Sequence, residues 1–268
     1  MNLGLENKVS VVLASSKGLG LACAKGFYEE GATVVICSRS ESNLKIAKEK
    51  IEQTKSKTKN IKIIPIVADL KYEDQIKKIV DKTIKEFGRI DILVNNAGGN
   101  FARDRRPPTQ LLEDLTIEEW DFILNNNLKS VFLLTRAVVP YMKNQHYGRI
   151  INLSSMAGKV ATPFNTLPYS AAKSGVIGFT RQLAYQLGPT GIMVNAVAPG
   201  YIVSGPRLEK IWEERKKTAF GNQIIDSIAL KRLGTPQDVA NVVAFLASDE
   251  VSYTIGSTID ILGGAYML

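Results

Sequence analysis

The sequence predicts an α/β fold, a doubly wound seven-stranded parallel sheet flanked by helices. Two patterns carry this expectation. Short β-branched runs alternate with longer stretches of helical periodicity from one end of the chain to the other, as in successive βαβ units. Several of the short runs are almost wholly apolar, which suits strands covered on both faces.

The strands are expected at Val9–Leu13, Thr33–Cys37, Ile61–Val67, Ile90–Val94, Arg149–Leu153, Met193–Val197 and Thr258–Ile261. A helix over Leu21–Glu30 should end at Gly31, and another should run over Ser170–Leu187. No internal linker divides the 268 residues, which therefore read as one domain. Two segments break the rhythm: Gly98–Leu115, rich in Arg and Pro, and Tyr201–Leu233, a polar helical stretch after Pro199-Gly200. Ligands of open α/β sheets bind at the carboxyl ends of strands, so these insertions are the expected specificity elements.

Composition narrows the function classes. Hydrophobic residues make up 45% and charged residues 22%, near globular averages. No leader-like start and no apolar run long enough for a bilayer is evident, so the chain reads as cytoplasmic without a membrane partner. The formal net charge of +8 is spread along the chain rather than interleaved with aromatics, which argues against a nucleic-acid surface. Cys23 and Cys37 lack metal-ligand spacing and read as buried thiols. His146, alone of its type, lies in a polar loop, and Glu118 with Glu119 suits a helix N-terminus better than a hydrolytic pair. Arg103, Arg105 and Arg106 fit an anion contact, a subunit contact or a solvated loop.

The first strand runs into Ala14-Ser15-Ser16-Lys17-Gly18-Leu19-Gly20 and then a helix. Glycines let backbone approach a pyrophosphate, and a helix N-terminus offers free N–H groups and a favourable dipole. About 20 residues beyond such a turn, an acidic residue would hold a ribose 2′-hydroxyl. Ser38 and Arg39 stand there instead. Without a carboxylate, and with Lys17 and Arg39 as cations, the charge pattern favours NADP(H) over NAD(H), unless both cations are plain surface charges.

Downstream, Tyr169 and Lys173 fall at i and i+4 on one helical face. A free phenol has a pKa of about 10, and an adjacent ammonium is expected to lower it toward a useful range. Such a pair is common in helices, so the surrounding motifs decide its meaning.

Those motifs are the glycine turn, Asp69 after the third strand, Asn95-Asn96-Ala97-Gly98 after the fourth, Asn127, Ser155, the Tyr169/Lys173 pair and Pro199-Gly200. In this order and spacing, from about Leu5 to Gly264, the chain resembles the short-chain dehydrogenase/reductase family. The resemblance implies a compact Rossmann-type domain, nicotinamide-linked oxidation of CH–OH groups, and a homotetramer or dimer. It implies that Ser155 hydrogen-bonds the substrate oxygen, Tyr169 exchanges a proton with it, Lys173 also holds the nicotinamide ribose, and Asn127 positions a water in a proton relay. It places Asp69 and Leu70 near the adenine, Asn96, Ala97 and Gly98 along the cofactor, and Ile202 and Ser204, beyond Pro199 and Gly200, near the carboxamide. No metal is required.

For some of these residues a purely structural role is the alternative. Asn96 would brace its turn, Ser154 or Ser155 would cap backbone, and Asn127 would stabilise its helix. Three departures from the family pattern stand out. Ala14 occupies the first glycine position, where a negative φ is expected to preserve the turn; Leu262 replaces an aspartate; and the Ser155-to-Tyr169 interval is one residue longer than is common. The substrate expected is a 3-oxoacyl, aldose, polyol or ketone compound. A nucleotide-sensing or scaffold protein and a cofactor-retaining epimerase or isomerase are the competing functions.

Overall fold

A computed structural model describes residues 2–59, 61–100 and 111–267. Arg103, Arg105, Arg106 and most of the first insertion lie outside the described residues.

The seven strands are β1 Val9–Val12, β2 Thr33–Ser38, β3 Ile63–Val67, β4 Ile92–Asn95, β5 Gly148–Leu153, β6 Ile192–Pro199 and β7 Thr258–Ile261. They form one sheet in the order β3-β2-β1-β4-β5-β6-β7, and every neighbouring pair is parallel. Each expected strand is present, with ends displaced by a few residues at most. Helices connect them: α1 Gly18–Glu29, α2 Glu41–Glu52, α3 Glu73–Phe87, α4 Ile117–Leu124, α5 Ser130–Gln145, α6 Leu167–Leu187, α7 Pro206–Arg215, α8 Ala219–Ser227 and α9 Pro236–Ala247.

The apolar strand runs serve two cores at once, because successive side chains leave opposite faces of a strand. Val12, Val34, Ile36 and Ile92 pack beneath α1, α2 and α9. Val11, Val35, Cys37 and Leu93 enter the other layer, with Ile79 of α3, Leu134 of α5 and Leu187 of α6. Burying a side chain such as Leu93 contributes roughly 1.5–3 kcal/mol. A polar substitution on either strand face would therefore be costly, and no face remains for alternation.

Chain order reverses between β1 and β4, which opens a crevice at their carboxyl ends. The loops after β1, β2, β3 and β4 line one side of this crevice, and those after β5 and β6 the other. The second insertion folds as α7 and α8 beside it. Among the described residues, no helix is long and apolar enough to cross a membrane.

Candidate active site

The turn after β1 is built differently from expectation at three positions. Ala14 has a φ of 48°, a left-handed conformation, so the expected negative φ is corrected. Asn96 Nδ2 donates to the carbonyls of Leu13 and Ala14 at 3.0 and 3.4 Å and braces this strained corner. Ser15 is fully buried: its Oγ donates to Val12 O at 2.7 Å and accepts from Cys37 N–H at 2.9 Å. Its side chain binds the turn to β2. Gly20 likewise is a packing glycine, since a Cβ there would lie 2.5 Å from Asn96 Nδ2.

Helix α1 starts at Gly18 behind an extended Lys17, with no side-chain cap and no acidic residue in its first turn. Its leading N–H groups and dipole thus stay available to an anion. A cavity of 510 Å³ extends from this turn past Ser16 and Lys17 to Ser38 and Arg39 on one side, and to Asp69, Leu70, Ala97 and Gly98 on the other. Lys17 and Arg39 are exposed, and neither has an ion pair among the described residues. Sequence reasoning missed Ser40, Asn43 and Phe122 in this cavity. Ser40 caps α2 through the Asn43 N–H, and a Ser-x-x-Asn pattern before a helix was the signal available.

Ala14, Lys17 and Gly98 also border a second cavity of 440 Å³, which continues along Gly18, Leu19 and Asn96 to Ser155, Tyr169 and Lys173. Pro199, Gly200, Ile202 and Ser204 form its other wall, and Leu208 of α7 closes toward it. A Cβ at Gly18 would sit 3.0 Å from the Ser204 carbonyl, so the absence of a side chain keeps this passage open. The two cavities make a continuous elongated groove, cationic at one end and hydroxyl-rich at the other, which fits a dinucleotide.

Ser155, Tyr169 and Lys173 meet at the hydroxyl end. Ser155 ends the β5 loop in extended conformation, accepts from Ala157 N–H at 3.2 Å and lines the same cavity as Tyr169. Ser155 thus caps backbone while it lines the cavity, and Ser154, which also lines it, donates to Lys173 O at 2.9 Å. Lys173 is buried, donates from Nζ to Leu153 O at 2.8 Å, and lies 5.7 Å from the Tyr169 ring centre.

Desolvation sets the acidities here. Burial pulls the Lys173 ammonium down to about 8. Burial also raises the Tyr169 phenol, with the Ser155 hydroxyl acting weakly in the opposite direction. The expected lowering of Tyr169 by Lys173 is thus corrected: burial raises the phenol, and the Lys173 ammonium is directed to the Leu153 carbonyl.

Asn127 lies behind this end, fully buried, in a π-helical turn at Asn125–Lys129 between α4 and α5 that the sequence did not announce. Its Nδ2 donates to Ile123 O at 2.9 Å and to Gly99 O at 3.1 Å, and its Oδ1 accepts from Gly99 N–H at 2.9 Å. The long loop before Tyr169 is fastened by Asn100, which donates to Phe164 O and accepts from the Thr166 hydroxyl, both at 2.7 Å. His146 is an exposed helix cap with left-handed backbone, and both cysteines are buried free thiols pushed up to about 12. Leu262 packs against Gly200, whose Cβ would be 3.1 Å from it.

With this geometry in view, comparison with known proteins decides the family. A family described as enoyl-(acyl carrier protein) reductase matches residues 13–266. The chain belongs to the short-chain dehydrogenase/reductase family. It is 42% identical over 260 residues to 3-oxoacyl-(acyl-carrier-protein) reductase FabG of Thermotoga maritima, covering 97% of this chain and 98% of the relative. It is 36% identical over 264 residues to a (2S)-((R)-hydroxy(phenyl)methyl)succinyl-CoA dehydrogenase subunit of Thauera aromatica, covering 98% of each. Among solved structures, levodione reductase is similar at a TM-score of 0.86 and 33% identity, with 97% of both chains covered. The protein is an oxidoreductase acting on hydroxyl or keto groups with NAD(P).

Proposed function

We propose that this short-chain dehydrogenase/reductase is an NADP(H)-dependent enzyme for a carbonyl or secondary alcohol, with 3-oxoacyl-type compounds favoured over aldoses and polyols. The meeting of Ser155, Tyr169 and Lys173 at the hydroxyl end of the groove carries the reading. The preference for an acyl compound rests on the apolar surface that Leu208 gives the cavity wall, on a helix packed through buried Trp212 against Phe164 and Tyr201. The FabG relative is in keeping with it.

A bound nicotinamide supplies or takes the hydride. Ser155 Oγ orients the carbonyl oxygen, and Tyr169, kept protonated by its enclosure, gives its proton to that oxygen as negative charge develops. Lys173 would hold the ribose hydroxyls of the coenzyme and steady the phenolate left behind. Asn127 fixes Gly99 in the loop after β4. At the other end, the uncapped α1 start would hold the pyrophosphate, Asp69 and Leu70 would take the adenine, and Lys17 with Arg39 would receive the 2′-phosphate. Assembly into a homotetramer belongs to the same reading, and light scattering tests it.

The decisive experiment is turnover of a panel of 3-oxoacyl, ketone, aldose and polyol compounds with either nicotinamide. Wild type should reduce 3-oxoacyl compounds with NADPH, and Tyr169→Phe should lose turnover while still binding cofactor. Full activity in that variant would remove the mechanism.

A further inference from the structure

Beside the hydroxyl end, aromatic rings converge from separate stretches of chain. Phe164, from the loop before α6, meets Tyr201 nearly edge-on at 6.1 Å between ring centres and Phe220 of α8 at 5.7 Å. Trp212 of α7 is buried against both Phe164 and Tyr201, at 6.5 and 5.9 Å. On this platform lies a cation: the Arg215 guanidinium is 4.2 Å from the Phe164 ring centre and 5.1 Å from that of Trp212.

The rings attract the flat face of the guanidinium, whereas its five N–H donors point outward in the plane and need acceptors. Arg89, Arg136, Arg149 and Arg232 each face a carboxylate. Arg215 is half-buried and has no carboxylate partner among the described residues. Its neighbour Glu214 is paired with Lys217. Burial pulls the Arg215 pKa down, the mark of a cation losing water without a counter-charge in return.

The position is held firmly. Thr218 donates to the Arg215 carbonyl from both its N–H and its hydroxyl, at 2.9 and 2.7 Å. A Cβ on Gly221 would lie 2.0 Å from the same oxygen, so the turn between α7 and α8 closes on Arg215 too tightly for any side chain. Leu208, Trp212 and Arg215 follow one another at helical spacing on one face of α7. Leu208 lines the cavity that holds Ser155 and Tyr169. At the helical rise, Arg215 stands about 10 Å further along the helix.

We propose that Arg215 determines specificity by receiving an anionic group of the substrate, a carboxylate or a phosphate, carried at the end away from the reacting carbonyl, with the connecting chain passing Leu208 and Phe164. The inference rests on the carbonyl-reductase reading above. It adds a charge requirement at the far end of the substrate that the apolar wall alone does not impose. A fork of donors already stacked and desolvated receives such a group without further ordering of the side chain.

The test compares methyl-ketone carboxylates whose carbonyl and carboxylate are separated by four, six or eight methylene groups, their methyl esters, acetoacetyl-CoA and ethyl acetoacetate. Binding is read by calorimetry in the presence of oxidised nicotinamide, so it does not depend on turnover. Wild type should prefer an anion over its matched ester, Arg215→Met should reduce that preference at least tenfold, and Arg215→Lys should recover part of it. Loss confined to the carboxylate series assigns a carboxylate, and loss confined to the CoA thioester assigns a phosphate. Equal loss for anions and esters makes Arg215 a packing residue and overturns the proposal, as does a wild type without preference. Turnover of the same compounds tests the reductase reading separately.

Discussion

Asn127 and Gly99 exchange two hydrogen bonds, Gly99 N–H to Oδ1 at 2.9 Å and Nδ2 to Gly99 O at 3.1 Å. One side chain thereby pairs both backbone groups of a residue in the loop after β4. The fit leaves no room beside it, because a Cβ at Gly98 would lie 2.2 Å from the same Oδ1. Asn127→Ala should cost about 2 kcal/mol, since buried backbone groups lose partners. Urea unfolding should show that loss, and cofactor titration should show weaker binding by the same variant. Unchanged stability and affinity would mean that water replaces the carboxamide fully.

With Tyr169 as the proposed proton donor, the two reaction directions should show opposite pH dependence. Burial raises its pKa, so at neutral pH the group is a phenol, the form that donates a proton during reduction. Oxidation of an alcohol needs the phenolate instead. The rate of oxidation should therefore climb through the alkaline range, while reduction holds level near neutrality and falls as the phenol ionises. Rate profiles of kcat in both directions check this, and a profile for oxidation that levels off below pH 7 would contradict it.

Lys173 predicts a gain of stability on removal of a functional group. Its folded pKa is about 8 against an ordinary value of 10.5, so between those values the unfolded chain binds more protons than the folded one. Stability must then rise with pH across that window. The penalty is present in full below about 8, is relieved toward 10.5, and amounts to roughly 3 kcal/mol. Lys173→Met, similar in length and apolar, should be more stable than wild type at pH 7 and lose most of its advantage by pH 10. Chemical denaturation at both values decides; a difference independent of pH would assign the change to packing.

A further stability prediction concerns the turn after β1. At a φ of 48°, Ala14 holds a left-handed conformation that costs an L-residue about 1–2 kcal/mol, and glycine adopts it freely. Glycine gives back roughly 0.4–1 kcal/mol through the greater freedom of the unfolded chain. Ala14→Gly should accordingly raise stability modestly, by up to about 1 kcal/mol, with cofactor affinity retained. Thermal unfolding measures it, and a loss of stability would show that Asn96 bracing already offsets the strain.

Ala14 also shows where the sequence stops being readable. The strands were legible because burial on both faces demands continuous apolar runs, and β7 even has the expected limits, Thr258–Ile261. Tyr169 and Lys173 were legible because helical spacing is local. The φ of Ala14 is imposed from across the sheet by Asn96, and local spacing carries no trace of it. The same holds for Ser15, whose hydroxyl is taken by β1 and β2, and for the π-helical turn at Asn127, whose partner Gly99 is distant in sequence. The raised Tyr169 pKa depends on how completely the site is enclosed, a property of the assembled walls. Arg215 was passed over because Phe164, the ring nearest its guanidinium, comes from a loop about fifty residues earlier in the chain.

The proposed preference for NADP(H) rests on charges that the fold leaves without ion pairs among the described residues. Arg39 stands exposed beside Ser38 at the end of β2, Lys17 lies across the same cavity, and neither has an ion pair among the described residues. A 2′-phosphate would meet both cations there, whereas a bare ribose would find no carboxylate at position 38 or 39. Arg39→Ser should weaken NADPH binding about thirtyfold, near 2 kcal/mol for one charge-assisted pair, and leave NADH within a few-fold. Because Arg39 is exposed, the contribution should shrink as salt screens it. Ser38→Asp combined with Arg39→Ser should go further and reverse the preference, since a carboxylate repels the phosphate and accepts from the free 2′-hydroxyl. Titration of all variants with both coenzymes at low and high salt separates these effects. Equal loss for NADPH and NADH in Arg39→Ser would place that residue against the adenine rather than the phosphate.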